Sequence, residues 1–258
     1  ILILLPFDVF SDAYIDTLIL NASNSQYTES HFVKTYSYPK KTKIIKIKDL
    51  SYQMIPQSEW QNIDNKKIII VPELISMLSR FSDSIFQKIK DVCTIRRGVL
   101  FNRKLLKDER LNNQYYRYFE GDVYRYKINL KLEKWVEFGN KMKEKPKDFD
   151  WFTGERILLR RLVNRRQRLM ACFPNDTFIT NKNIYSILQK DCDIFYLLGI
   201  INSRLISFLY INQVTQATKD DFPQVTIRDF KNLPLPKEVS NKTREILSSY
   251  SERMQELL

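Results

Sequence analysis

The run IFYLLGIINSRLISFLYI, residues 194–211, constrains the fold more than any other stretch of the chain. Surface this apolar has to be covered by other apolar surface or by lipid. Asn202, Ser203 and Arg204 interrupt it, and no run approaches the roughly eighteen apolar residues of a membrane span. It therefore predicts a buried helix, with no membrane partner. The whole chain of 258 residues, 43% hydrophobic and 13% aromatic, has enough apolar material for one large core or two smaller ones.

Strand patterns dominate the first fifty residues: ILILLPF, the alternating AYIDTLILNA, and TKIIKIK with Ile44, Ile45 and Ile47 among lysines. Three such strands need a partner sheet, so they are expected to be the edge of a larger domain. The chain opens on ILILLP with neither a basic n-region nor an initiating Met, which reads as an internal fragment and not a signal peptide. In KKIIIVPELISMLSRF, Pro72 suits a helix start and Leu74, Ile75, Leu78 and Phe81 share a helical face. SDSIFQKIKDVC predicts a second short helix capped by Ser82 or Ser84, and the domain boundary falls near residue 72. Further on, DVYRYKINL and NIYSILQ are strand-like around mixed segments. In NKTREILSSYSERMQELL, Ile246, Leu247, Tyr250, Met254 and Leu257 recur at helical spacing, predicting a last helix over 240–258.

With 42 Lys+Arg against 30 Asp+Glu, the net charge of +12 calls for a polyanion, either nucleic acid or an acidic membrane surface. RILLRRLVNRRQRLMACF, residues 156–173, sets six arginines in its first thirteen positions among Leu158, Leu159, Leu162 and Val163. Arginine offers a planar fork that matches guanine O6/N7 or a phosphate bidentately, whereas lysine would serve solubility. Periodicity leaves two forms open. A helix would line Arg156, Arg160 and Arg161 along one side, and a hairpin would turn at NRRQ and present Arg165, Arg166 and Arg168 at its tip. In both, the guanidiniums are expected outside, with some pairing to Asp122 or Glu155.

Arg96 and Arg97 before Gly98, followed by Arg103, Lys104 and Lys107, make a second cationic stretch, where glycine permits a sharp turn or close approach to a ligand. YYRYFEGDVYRYK surrounds Arg117 and Arg125 with Tyr115, Tyr116, Tyr118, Tyr124 and Tyr126, a mixture suited to phosphates and base edges and equally to a core edge. The expected DNA contacts are Arg96, Arg97, Arg103, Lys104, Arg117, Arg125, Arg156, Arg160, Arg161, Arg165, Arg166, Gln167 and Arg168.

No catalytic or metal-binding residue is expected on the chain. Its glycines, at 98, 121, 139, 154 and 199, lie too far apart for a phosphate-cradling loop, and His31 stands alone in a polar loop. Cys93, Cys172 and Cys192 lack CxxC spacing and read as core thiols in a reducing cytoplasm. Asp148, Asp150 and Glu155 come closest to a nuclease run, but Ile157 stands where that pattern requires Lys.

Taken in order, LPFDVFSDAYIDTLILNA, IPQSEWQN, IRRGV, ILLRRLVNRRQRLMACF, LLGIINSRLISFLY and FPQVTIRDFKNLPLP resemble a known family. They are similar to the C-terminal half of type IIG restriction–modification enzymes and related DNA adenine methyltransferases, including the TaqI-like C-terminal specificity domain. The resemblance covers nearly the whole chain and rests on the order and spacing of the motifs. It implies an α+β chain, with remnant strands of a methyltransferase sheet and a linker over 1–72. A mixed α/β target-recognition domain with a C-terminal helix would then span 73–258.

The same resemblance implies sequence-specific recognition of double-stranded DNA, while an upstream methyltransferase domain of the same polypeptide flips and methylates an adenine. The family's glycine-containing S-adenosylmethionine motif and its Asn/Asp-Pro-Pro-Tyr/Phe motif are absent here, so S-adenosylmethionine and Mg are implied only for the full-length enzyme. Asn202 and Ser203 would pack or cap helices and not read DNA. Two further readings stay open. One is an RNA or single-strand binder that stacks bases on the tyrosines. The other is a type I-like specificity module whose helices 73–92 and 240–258 bind a separate methyltransferase chain.

Overall fold

Alternating β-branched and aromatic residues do form strands in the first eighty residues, though not all in the expected places. In a computed structural model, residues 1–258 are described except 7–8, 11–16, 27, 40–41, 62–67, 71, 79, 82–83, 165 and 215–222. The chain divides into two units, Ile1–Ser82 and Asp83–Leu258. In the first, β1 (Leu2–Leu4), β2 (Leu18–Leu20), β3 (Phe32–Ser37) and β4 (Gln53–Pro56) form a sheet in the order β2-β1-β3-β4. β1 runs parallel to β3, and the other pairings are antiparallel.

TKIIKIK does not form the expected strand. Its place beside β3 is filled by β4, so without a ladder partner it makes only a 3-10 turn at Ile47–Asp49 and leaves Ile44, Ile45 and Ile47 exposed. Helices α1 (Gln57–Gln61) and α2 (Pro72–Leu78) follow, and Ile55, Ile69, Leu74 and Ile75 close a small core. Trp60 Nε1 donates to the Ile69 carbonyl at 2.7 Å.

The second unit begins with β5 (Phe86–Lys88), α3 (Ile89–Val92) and β6 (Cys93–Arg97). The helix expected from SDSIFQKIKDVC is thereby cut to one turn, because Phe86–Lys88 pairs with the distant β12 (Pro234–Pro236), a tertiary contact that overrides local pattern. Of its expected caps, Ser82 lies outside the described residues and Ser84 precedes a strand. A long hairpin of β7 (Tyr115–Tyr124) and β8 (Lys127–Glu137) then packs on an antiparallel sheet of β9 (Ile157–Arg160), β10 (Ala171–Cys172) and β11 (Ile184–Gln189) in the order β10-β9-β11-β6. Phe119, Val123, Leu158, Cys172, Phe178 and Ile184 form the shared core. At the hairpin bulge a Cβ on Gly121 would lie 1.9 Å from the Asn129 carbonyl oxygen, so only glycine fits.

The apolar run forms two helices, α4 (Ile194–Asn202) and α5 (Arg204–Gln213), bent by 57° at Ser203. Ser203 is extended and its Oγ accepts the Ile206 N–H at 3.1 Å, an N-cap that restarts the helix in a new direction. No single described helix is long and apolar enough to cross a membrane. After α6 (Ile227–Lys231) comes α7 (Asn241–Glu256), capped by Ser240. This last helix forms as expected but turns Ile246, Tyr250, Met254 and Leu257 outward, and only Ser251 is buried. The reason is close helix packing: a Cβ on Gly199 of α4 would stand 2.3 Å from Ser251 Oγ, leaving no room for a large side chain. The molecule is α+β, as the sequence implied.

Candidate nucleic-acid interface

Strand register decides between the two forms of segment 156–173. Leu159 pairs with Ala171 and Leu158 with Cys172, so the segment is a hairpin. Its turn closes where Gln167 N–H donates to the Asn164 carbonyl at 2.9 Å, with Gln167 in the left-handed region at φ 53°.

The arginines of this hairpin have different fates. Arg156 was expected outside, yet it is 1% exposed. Its Nη1 donates to the Gly154 carbonyl at 3.1 Å and its Nη2 to the Asp176 carbonyl at 2.7 Å, and its guanidinium lies 5.0 Å from the Phe178 ring. Burial pulls its pKa down to about 10. It sits where β9 enters the core, so it cannot reach DNA. Arg160 pairs with Asp122 at 3.2 Å, one of the internal pairs anticipated, while Glu155 instead accepts from Gln189 Nε2 at 3.3 Å. Arg161 Nη2 donates to Gln224 Oε1 at 2.6 Å. Arg168 is tied back by Nη2 to the Asn202 carbonyl at 2.8 Å and by Nε to Ser207 Oγ at 3.3 Å. Arg166 and Gln167 are exposed at the turn, and Arg165 lies outside the described residues.

The other cationic stretches divide in the same way. Arg97 pairs with Glu144 and Arg103 with Glu120, while Arg117 is shared between Glu133 at 3.0 Å and Asp176 at 3.4 Å. Exposed Arg96 lies 5.9 Å from the Trp151 ring, and Lys104 is exposed with its backbone capped by Asn102. Gly98 serves packing and not a ligand. A Cβ there would stand 2.3 Å from the carbonyl oxygens of both Thr180 and Asn181, where Val99 N–H bonds Thr180 at 2.8 Å. The tyrosines are core-edge residues: Tyr115 and Tyr126 are buried, Tyr116 lies 3.9 Å from Phe149 and Tyr118 5.2 Å from Phe101. Of the five, Tyr124 alone is exposed.

Among the described residues, Arg96, Lys104, Arg125, Arg166 and Gln167 are thus the expected contacts whose side chains neither a carboxylate nor a hydrogen bond holds, while Arg156, Arg161 and Arg168 are held by neutral oxygens. Arg204 was missed by sequence reasoning. It is exposed at the start of α5, and its only signal was its place in the polar break of the apolar run. Asn202 is fully buried and, as the resemblance implied, serves structure: its Oδ1 accepts Ala171 N–H at 3.0 Å and its Nδ2 donates to the Ala171 carbonyl at 2.9 Å. One side chain thereby completes the hydrogen bonds of the β10 edge.

Residues 116–235 match the TaqI-like C-terminal specificity domain. A protein of Methanocaldococcus jannaschii, whose name describes a type II restriction enzyme and methyltransferase, is 35% identical over 97% of this chain. The chain spans 22% of that relative's length. The type IIG restriction endonuclease BpuSI has the same fold at a TM-score of 0.53 and 11% identity, over 97% of this chain and 38% of its own. The HsdS subunit of Thermoanaerobacter tengcongensis aligns at a TM-score of 0.40 and 14% identity, over 67% of this chain and 37% of its own. The chain is therefore a homologue of part of a type II restriction enzyme and methyltransferase, and its residues 116–235 match the TaqI-like C-terminal specificity domain.

Proposed function

We propose that this chain reads a specific sequence in double-stranded DNA, as the target-recognition region of a type II restriction–modification adenine methyltransferase in the cytoplasm. One observation carries this reading: the matched segment, residues 116–235, contains the turn on which exposed Arg166 and Gln167 stand clear of any carboxylate among the described residues. Both side chains suit bidentate bonds to base edges, worth about 1–3 kcal/mol of discrimination each. Neighbouring cations would hold phosphates and set the register.

The adenine would be flipped and methylated by an upstream domain of the same polypeptide. The exposed edge strand Leu18–Leu20 supports a neighbouring protein surface there, since an apolar strand edge is otherwise an aggregation hazard. The residues present do not fit the implied S-adenosylmethionine or Mg. Among the described residues no three His, Cys, Asp or Glu gather, and Gly98 backs onto protein carbonyls. Both groups would bind elsewhere in the longer polypeptide.

The test begins with selection of bound sequences from a random duplex pool, followed by salt titration on the selected and a scrambled duplex. The expected result is a log–log slope of several units, near −0.9 per phosphate neutralised, with preference for the selected duplex. Equal affinity for every sequence would leave only a polyanion binder. The outward apolar stripe of α7 favours a second reading as an assembly module, which stable co-purification with a methyltransferase chain supplied in trans would support.

A further inference from the structure

We infer that Arg125, Arg168 and Arg204 form a clamp for one phosphodiester of the DNA backbone, a site that rests on the function proposed above. The three guanidiniums come from three elements joined at the Ala171 carbonyl. That oxygen accepts Tyr126 N–H, from the β7–β8 turn, at 2.8 Å and Asn202 Nδ2, from the end of α4, at 2.9 Å. Arg125 precedes Tyr126 and lies 5.6 Å from its ring, Arg204 stands two residues beyond Asn202, and Arg168 reaches the Asn202 carbonyl with Nη2. Leu169 N–H and Arg168 Nε both bond Ser207 Oγ, at 3.2 Å and 3.3 Å, so the turn is held before any ligand arrives.

The charges of this cluster are unbalanced. Arg97, Arg103, Arg117 and Arg160 each have a carboxylate, whereas among the described residues none pairs with Arg125, Arg168 or Arg204. Arg125 Nε is shielded from solvent and has no acceptor. Arg168 is held below the usual arginine range, first by burial and then by the like charges of Arg125 and Arg204. Positive charges assembled at the start of the ten-residue α5, where the helix dipole adds to them, are stabilised by an anion. A phosphodiester's paired oxygens suit guanidinium forks. Because Arg168 is tethered at two points, the cluster fits the fixed backbone and not the groove floor, so it positions DNA and reads no base.

The test is R125Q/R204Q in the full chain, leaving Arg168 in place to hold the turn. Salt titration on the selected and scrambled duplexes should show about tenfold weaker binding to both and a slope shallower by about 0.9. The thermal midpoint should not fall, because repulsion is relieved; the single R204E tests the same point by charge reversal. An unchanged slope and affinity, with wild type still binding steeply, would overturn the clamp and leave the proposed function standing. A loss confined to the selected duplex would make these residues base readers and also overturn it. Tight saturation of wild type by inorganic phosphate alone would make the cluster a free-anion site instead. A wild-type chain that ignores duplex DNA at low salt would overturn the proposed function itself, and the clamp with it.

Discussion

Six arginines placed within thirteen residues share one chemistry and differ only in what surrounds them. Arg156 is a buried cation held by two carbonyls and the face of Phe178, so R156A should lower stability by about 3 kcal/mol. Urea denaturation measures this, and the folded variant should bind duplex DNA as wild type does. Arg166 is exposed, and R166A should weaken binding to the selected duplex by about 1–3 kcal/mol with no change in the melting midpoint. Of the cysteines, expected as core thiols, Cys93 and Cys172 are buried and Cys192 is half-buried. Burial pushes the Cys93 and Cys172 thiols up to about 12 from an ordinary value of 9.0. In the unfolded chain they ionise first, so their contribution is complete below pH 9.0 and is lost as pH rises toward 12. Each thiol should add a fall of up to about 1.4 kcal/mol per pH unit in that window. C172A should therefore lose stability more slowly above pH 9.0 than wild type in urea titrations; parallel curves would contradict this.

At the scale of elements, close backbone approach decides what forms. Gly98 lets β6 lead onto the Thr180–Asn181 backbone, and G98A should cost about 3 kcal/mol, because the carbonyls it would strike cannot rotate away. Asn202 is the one side chain that satisfies both backbone groups of Ala171, so N202A should cost about 2–3 kcal/mol. N202A keeps the backbone carbonyl that holds Arg168, so the folded variant should bind duplex DNA nearly as wild type does. Hydrogen-exchange protection at Ala171 checks the first effect directly. β11 and α7 were legible as elements because each carries its own periodicity, whereas DVYRYKINL, expected as one strand, holds the turn between β7 and β8, with Tyr126 in the left-handed region at φ 60°. TKIIKIK and SDSIFQKIKDVC were misread because a strand exists only where a partner offers its ladder, and that partner is set by distant chain.

The whole molecule carries a net charge of +12, and several of the arginines that the sequence offered as contacts, Arg97, Arg103, Arg117 and Arg160, are paired with carboxylates within the fold. The candidate contacts left without a carboxylate, Arg96, Lys104, Arg125, Arg166 and Arg204 among them, lie within the second unit. Asp83–Leu258 contains both strands of the β5–β12 pair and the whole β10-β9-β11-β6 sheet. A chain cut to residues 83–258 should therefore unfold cooperatively in urea on its own and retain salt-dependent duplex binding. A broad, non-cooperative transition would show that residues 1–82 complete its core.

Sequence alone determined the basic character, the α+β class, the family, and the capping and packing roles of Ser203 and Asn202. Which arginines remain free was decided only by tertiary structure. Arg160 finds Asp122 across two strands and Arg161 finds Gln224 sixty-three residues away, whereas Arg125, Arg168 and Arg204 are brought together with no carboxylate among the described residues. The physical reason is that charge belongs to a residue, while its neutralisation depends on neighbours that only strand register and helix packing bring within about 4 Å.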